Sequence, residues 1–391
     1  MKGARRRGSN REGAVRVRRG VRQTRRATGF LLLLLAALSL LSGACKRHEG
    51  PEAMFRVTPA HTGRDRGPAI QGELLWRHRL NGWIVTTPAV AGGLVYAGDS
   101  IGKTFYALDV DSGDRVWSYP TEGAVLSSPL VTGEQVMFGS VDHFFYSLNR
   151  KTGELNWRFE TGNNVTSSPV CDKDRVYVGS HDHSLYALSL KEGTEVWKFE
   201  TGNLIAASPA LYRGRVYIGS WDGCFYALDA ETGKEAWRFG KIEDAKIGSS
   251  AALEDGKAYF GATDGYLYCV GAETGDLKWK YQTNLWVDSS PALDKGVVVV
   301  GSVDRHLYCL DRDTGEIKWK FPGLGPILCS PFIYNDLVYT GGERGQLVAL
   351  RLRDGEKVWE YDTGRSIKAS PVLKDGRLYF CSYDHHVYAF K

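Results

Sequence analysis

Trp157-Arg-Phe-Glu-Thr-Gly-Asn-Asn-Val-Thr-Ser-Ser-Pro-Val170 opens a stretch, ending at Trp197, that stands for almost everything after residue 71. Trp recurs at 76, 117, 157, 197, 237, 279, 319 and 359, at spacings of 41, 40, 40, 40, 42, 40 and 40 residues. A fixed period of this length marks one supersecondary unit repeated in a stack or around an axis. Within the unit, Ser167–Cys171, Arg175–Ser180, Ser184–Leu190 and Glu195–Glu200 are short runs rich in β-formers. Polar turns at Asp172–Asp174, His181–His183 and Lys191–Thr194 separate them. Runs of this kind, spaced 8–12 residues apart, read as antiparallel strands. Four of them in about 40 residues make a propeller blade.

Each strand type can be counted by its own mark. The innermost strand carries Pro88, Pro129, Pro169, Pro209, Pro291, Pro331 and Pro371, with Ala251 once in its place. The second ends in Gly98, Gly139, Gly179, Gly219, Gly261, Gly301 and Gly341, with Cys381 as the exception. The third carries Tyr106, Tyr146, Tyr186, Tyr226, Tyr268, Tyr308 and Tyr388, with Val348 as the exception. All counts reach eight, but out of phase: a Trp strand, Gly72–His78, comes first, and none follows Tyr388. The expected fold is all-β, an eight-bladed propeller of four-stranded antiparallel blades. The N-terminal strand completes the last blade, so no open edge is left between first and last.

Residues 1–27 hold eleven Lys/Arg and one Glu, and Phe30–Leu41 is almost wholly apolar. A basic segment, a short apolar core and small residues read as an export signal, residues 1–44, too short for an ordinary membrane span. Leu41-Ser-Gly-Ala-Cys45 resembles a bacterial lipobox, which implies cleavage before Cys45 and its lipidation; ordinary signal cleavage nearby is the alternative. Residues 45–71, with Gly50-Pro, Thr58-Pro and Gly67-Pro, read as a lipidated cysteine followed by a flexible tether, and 72–391 as the propeller. The formal charge of +5 includes +10 from residues 1–44, leaving −5 for the exported part. A nucleic-acid surface, which needs a retained basic patch, is therefore not expected.

Asp229-Ala-Glu-Thr-Gly233 before Trp237, with Gly219-Ser-x-Asp-Gly-x-x-Tyr226-Ala-Leu upstream, resembles the PQQ-type propeller repeat across all eight units. Quinoprotein dehydrogenases, the BamB family of outer-membrane assembly lipoproteins and many secreted propellers share that repeat, and fold does not choose among them. The BamB resemblance implies a non-catalytic, lipid-anchored scaffold that binds protein, a monomer within the barrel-assembly machine. It implies a place at the outer membrane, facing the periplasm; Lys46 after the lipidated cysteine resembles outer-membrane sorting. The quinoprotein resemblance implies the alternative, a PQQ-dependent oxidoreductase with calcium or a small-ligand binder. Those enzymes carry an adjacent Cys-Cys pair, which this sequence lacks.

The repeat's fixed residues need no functional explanation. Trp buries a large ring between blades, and the glycine four before each Trp suits a turn with φ > 0. Function is expected where the repeat varies on a fixed frame. Four residues before the Pro mark all eight positions are β-branched, Ile84 to Ile367. The flanking positions vary, and a period of two puts them together on the opposite side of the strand, around the channel mouth. Candidate partner-binding residues there are Trp83, Val85, Leu126, Leu204, Lys246, Trp286, Asp288 and Lys368. Trp83 and Trp286 lead, as large aromatics the repeat does not require; plugging of the channel is the other reading. An insertion at Lys241–Lys246 and the irregular Phe321–Pro326 and Gly341–Gly345 stretches mark either a binding loop or drift.

No catalytic residue and no metal site is assigned. His181-Asp-His183 and His385-His386 fall on hairpin turns of blades 3 and 8, each without a third ligand at recognisable spacing. The cysteines after Cys45 replace small residues on several strand types and read as buried unpaired thiols.

Overall fold

The computed structural model describes residues 51–391; the export signal and Cys45 lie outside the described residues. Its strands form eight sheets, each built on four antiparallel strands, and in seven of them those four are consecutive in sequence. These are blades 1 to 7, whose innermost strands are Ala89–Ala91, Leu130–Thr132, Val170–Cys171, Ala210–Tyr212, Ala252–Glu254, Ala292–Asp294 and Phe332–Tyr334. Blade 8 combines Val372–Lys374, Arg377–Cys381 and His386–Phe390 with Leu74–Arg79 as its outermost strand. Trp76 faces Ala389 and His78 faces Val387, antiparallel, and Glu73 and Lys391 exchange backbone bonds of 2.9 and 3.1 Å. The N-terminal strand closes the ring, as the offset strand count predicts.

Three repeated contacts hold the blades together. Each outer-strand indole lies across the glycine of the following blade, from Trp76 on Gly113 round to Trp359 on Gly72. Those glycines hold φ between 70° and 80°, and a Cβ at Gly153 would come within 2.7 Å of the Trp117 ring. They serve the turn and make room for the neighbour's ring at once. Six indoles also donate to a carbonyl of that blade, as Trp197 does to Ala230 at 3.1 Å. The second-strand glycines answer a different need. A Cβ at Gly139 would sit 2.3 Å from Val165, the fully buried β-branched residue that enters the next blade.

The third contact is a belt of hydroxyls around the axis. The two residues before the Pro mark, mostly Ser or Thr, divide the work. At the first, Thr86, Ser167 and Ser289 bond to the second-strand glycine of their own blade, whereas Ser249 donates to the Ser289 carbonyl of the next. The second links blades: Thr87 N–H donates to Ser128 Oγ, Ser128 to Ser168, Ser168 to Ser208, Ser208 to Ser250, Ser250 to Ser290 and Ser290 to Ser330. Ser370 N–H donates to Thr87 at 3.1 Å, across the closure. These buried amides face the axis with no strand beside them, so the neighbouring hydroxyl satisfies them. Cys329 replaces a first-position serine, and its sulfur takes the Gly341 N–H at 3.2 Å. All six cysteines among the described residues are buried and unpaired.

The reading of residues 45–71 as a flexible tether needs correction for residues 51–67. This segment packs inside the ring as a strap. Its carbonyls at Ala53, Pro59, Ala60, Thr62 and Gly63 accept the inward N–H groups of Val131, Leu211, Leu253, Leu293 and Ile333, at 2.7–2.9 Å. Arg64–Asp65 adds a parallel strand to blade 7. The innermost strands are exposed edges of short sheets, and an extended segment is their natural cover. Met54 joins the core of blades 2 to 4. Arg56 reaches inward to the Pro331 carbonyl at 2.7 Å and to that of Pro291. A Pro- and Gly-rich composition hid this: the segment's order comes from backbone pairing, which leaves no side-chain periodicity.

Candidate functional site

The channel mouth on the hairpin-turn face is built from two residues per blade. The residue five before each Pro offers its carbonyl to the N–H of a residue on a second-to-third-strand hairpin, two after the second-strand glycine (Cys381 in blade 8). The pairs run Trp83–Ser100, Ala124–Val141, Asn164–His181, Leu204–Trp221, Lys246–Thr263, Trp286–Val303, Pro326–Glu343 and Ser366–Tyr383, at 2.9–3.1 Å. Behind this collar the β-branched residues four before the Pro mark are buried to 1% or less. The residues on either side of them are partly or fully open. The backbone is thus uniform while its outward side chains differ in every blade.

The candidate residues fall into separate groups. Trp83, 48% exposed, stacks on Tyr383 with ring centres 5.7 Å apart and planes 4° from parallel. Lys368 places its ammonium 5.1 Å from the same Tyr383 ring and 3.3 Å from Glu343. Lys246 lies 4.2 Å over the ring of Trp221. Asp288 leans toward the same blade, where a Cβ on Gly248 would lie 2.7 Å from its Oδ1. The residue is exposed, and desolvation of its carboxyl pushes it above the usual range. Val85, Leu126 and Leu204 are half-buried on the wall. Trp286, 55% exposed, stands beside Leu285, 51% exposed, and apart from Trp83 by three blades.

The hairpin half of the collar carries weight that the reading from the Pro mark missed, above all Trp221 and Tyr383. Their signal was present: aromatics at a position filled elsewhere by Ser100, Val141, His181, Thr263, Val303 and Glu343. In blade 7 the irregular loop tucks Leu324 into the core, and a Cβ at Gly342 would lie 2.2 Å from its carbonyl. The unusual Gly341-Gly342 pair thus accommodates packing there. The histidines serve turns and local bonds. His183 and His385 hold φ of 74°, and His181 Nε2 lies 2.9 Å from Thr166 Oγ1. Among the described residues no three His, Cys, Asp or Glu side chains gather as metal ligands would.

Comparison with known proteins places this geometry. The sequence model described as outer membrane protein assembly factor BamB matches residues 62–158, 145–265 and 222–391. No curated protein matches. Among solved structures, BamB from Moraxella catarrhalis is 20% identical, with 81% of this chain and 97% of that chain covered and a TM-score of 0.70. The computationally designed Ika8 protein is 16% identical, with coverage of 82% and 99% and a TM-score of 0.73. The quinohemoprotein alcohol dehydrogenase from Comamonas testosteroni is also 16% identical, with coverage of 93% and 84% and a TM-score of 0.76. At these identities the structural likeness speaks for the propeller alone. The sequence matches together span the strap from Thr62 and every blade, and the chain belongs to the family of outer membrane protein assembly factor BamB.

Proposed function

We propose that the protein is a non-catalytic interaction scaffold, lipid-anchored through Cys45 at the periplasmic face of the outer membrane, that supports assembly of β-barrel proteins. Family membership supports the pathway. The observation that carries a binding role is the contrast at the channel mouth. Eight uniform backbone pairs present eight unlike sets of side chains, including Trp83 and Trp286, each about half exposed. Large aromatics held out on a rigid frame are the residue type that dominates protein interfaces.

A quinone-dependent oxidoreductase is the second reading, favoured by the likeness to the alcohol dehydrogenase. Such a cofactor is a polyanion that sits with a divalent cation, and it needs several carboxylates and basic groups converging on the axis. At the mouth Lys368 is already paired with Glu343 and Lys246 lies over Trp221, which leaves Asp288 as the one carboxylate among the candidate residues, and the strap runs along the inner strands below. These residues do not fit that group.

The test is affinity capture from detergent-solubilised outer membrane of the source bacterium, with the wild type and Trp286→Ala side by side. Recovery of barrel-assembly components by the wild type, reduced for the variant at unchanged melting temperature, is expected. Recovery of none would remove the reading. A clear rise in melting temperature with PQQ and Ca²⁺ would favour the oxidoreductase.

A further inference from the structure

The repeat supplies its own control for finding specialised residues, because each position is sampled eight times in one chain. Arg79 occupies the third position after the outer-strand Trp. The other seven blades place Pro120, Glu160, Glu200, Gly240, Gln282, Pro322 and Asp362 there, none of them basic. Arg365 occupies the position six before the Pro mark, where the others have Gly82, Gly123, Asn163, Asn203, Ala245, Leu285 and Gly325. Neither arginine is required by the blade, yet the fold brings both into one cleft.

The cleft has a volume of about 700 Å³ and opens on the mouth face at the seam of the ring. Arg79 ends the N-terminal strand and Trp83 follows it; Arg365 lies on the loop entering blade 8, and Tyr383 and His385 on the blade 8 hairpin. A local change accompanies it. In blades 2, 3, 4 and 6 the entering loop is pinned to the hairpin that follows it, as Gly162 N–H donates to Asp182 and Gly202 N–H to Asp222, both at 2.7 Å. At blade 8, Gly364 N–H turns back to Asp362 at 2.7 Å instead. The Arg79, Arg365 and His385 side chains have no hydrogen-bond or ion-pair partner among the described residues. The acidic groups in the cleft are already engaged, Glu343 by Lys368 and Asp384 by Tyr388 and His386.

We infer that this seam cleft receives an acidic stretch of a protein partner, its carboxylates on Arg79 and Arg365 and an aromatic side chain on the Trp83–Tyr383 stack. Guanidinium forks suit carboxylates, and a flat exposed indole suits a ring. The volume falls within the range of roughly 300–1,000 Å³ in which bound groups are enclosed. Glu343 and Asp384 beside the arginines disfavour the dense charge of phosphate clusters, which sets a peptide above a lipid headgroup. The inference rests on the scaffold reading and names the partner chemistry of one part of that face. The occupant would touch both sides of the closure, and binding should therefore stiffen the seam.

The experiment is fluorescence anisotropy of the full exported chain with a labelled hexapeptide, Asp-Glu-Phe-Asp-Glu-Phe. Arg79→Glu and Arg365→Glu are each expected to weaken binding by about tenfold or more, with loss at raised salt. Arg305→Glu, a charge reversal on the same face outside the cleft, is expected to change it by no more than about twofold. The peptide should also raise the melting temperature of the wild type, and circular dichroism of each variant checks that it folds. Equal binding by Arg365→Glu, or none by the wild type, would overturn the inference. So would phosphatidylglycerol vesicles that bind through Arg365 when the peptide does not. If the peptide fails while capture through Trp286 persists, this inference falls and the scaffold reading stands.

Discussion

Gly72 lies under the indole of Trp359: a Cβ on the glycine would come 2.6 Å from Nε1, and its backbone holds φ of +80°. The contact joins the residue that opens the N-terminal strand to blade 7, across the step where the ring closes. Gly72→Val combines a β-branched residue in the left-handed region with a collision against a packed ring. It is expected to cost on the order of 1–3 kcal/mol, read as a lower urea midpoint. An unchanged midpoint would mean that the seam tolerates a gap.

Trp197 donates to the Ala230 carbonyl and rests on Gly233 of the next blade. Trp197→Ala should lower stability by on the order of 3–5 kcal/mol in chemical denaturation, as loss of a large packed ring does. Trp286→Ala, removing an exposed ring, should leave the same measurement nearly unmoved.

His61 is buried in the strap against Phe55, ring centres 5.5 Å apart, and neither ring nitrogen has a partner. Burial, and then the charge of Arg56, pushes its pKa down to about 3. Above about pH 6.5 folded and unfolded chains both hold it neutral. As the pH falls toward 3 the unfolded chain takes up a proton that the folded one refuses, so stability declines. Urea midpoints at neutral and mildly acid pH should therefore diverge. The difference should shrink in His61→Asn, whose side chain does not titrate and tolerates the φ of +54° found there.

The strap makes a prediction for hydrogen exchange. A chain lacking residues 51–67 exposes the inward amides of Leu211, Leu253, Leu293 and Ile333, which the strap carbonyls now accept. Their exchange should quicken, while amides of the outer strands, such as that of Lys198, stay protected. Uniform loss of protection would instead make the strap a requirement for the ring.

The fold was legible in the sequence because each blade needs the same few residues for steric reasons, and eight copies expose the rule. The closure was legible as a phase offset between Trp76 and Tyr388. Two exceptions, Val348 and the missing Asp of blade 7, become one fact in the structure. Tyr186 donates to Asp182 and Tyr308 to Asp304, both at 2.7 Å, so a blade without the acceptor does without the phenol. The strap was not legible, since backbone carbonyls carry no sequence mark. The mouth was half legible. Alternation placed Trp83 and Trp286, but Trp221 and Tyr383 come from a different strand pair, and only the collar of backbone bonds aligns the two series.

Glu73 and Lys391 bond to each other in both directions, so the sheet that completes the circle is encoded in two halves far apart in the gene. Duplication or loss of whole repeats between them would alter the circumference without disturbing the join. Ancestral rings of other sizes could therefore have been inherited, enlarged and trimmed through the interior of the reading frame, each generation keeping the same clasp.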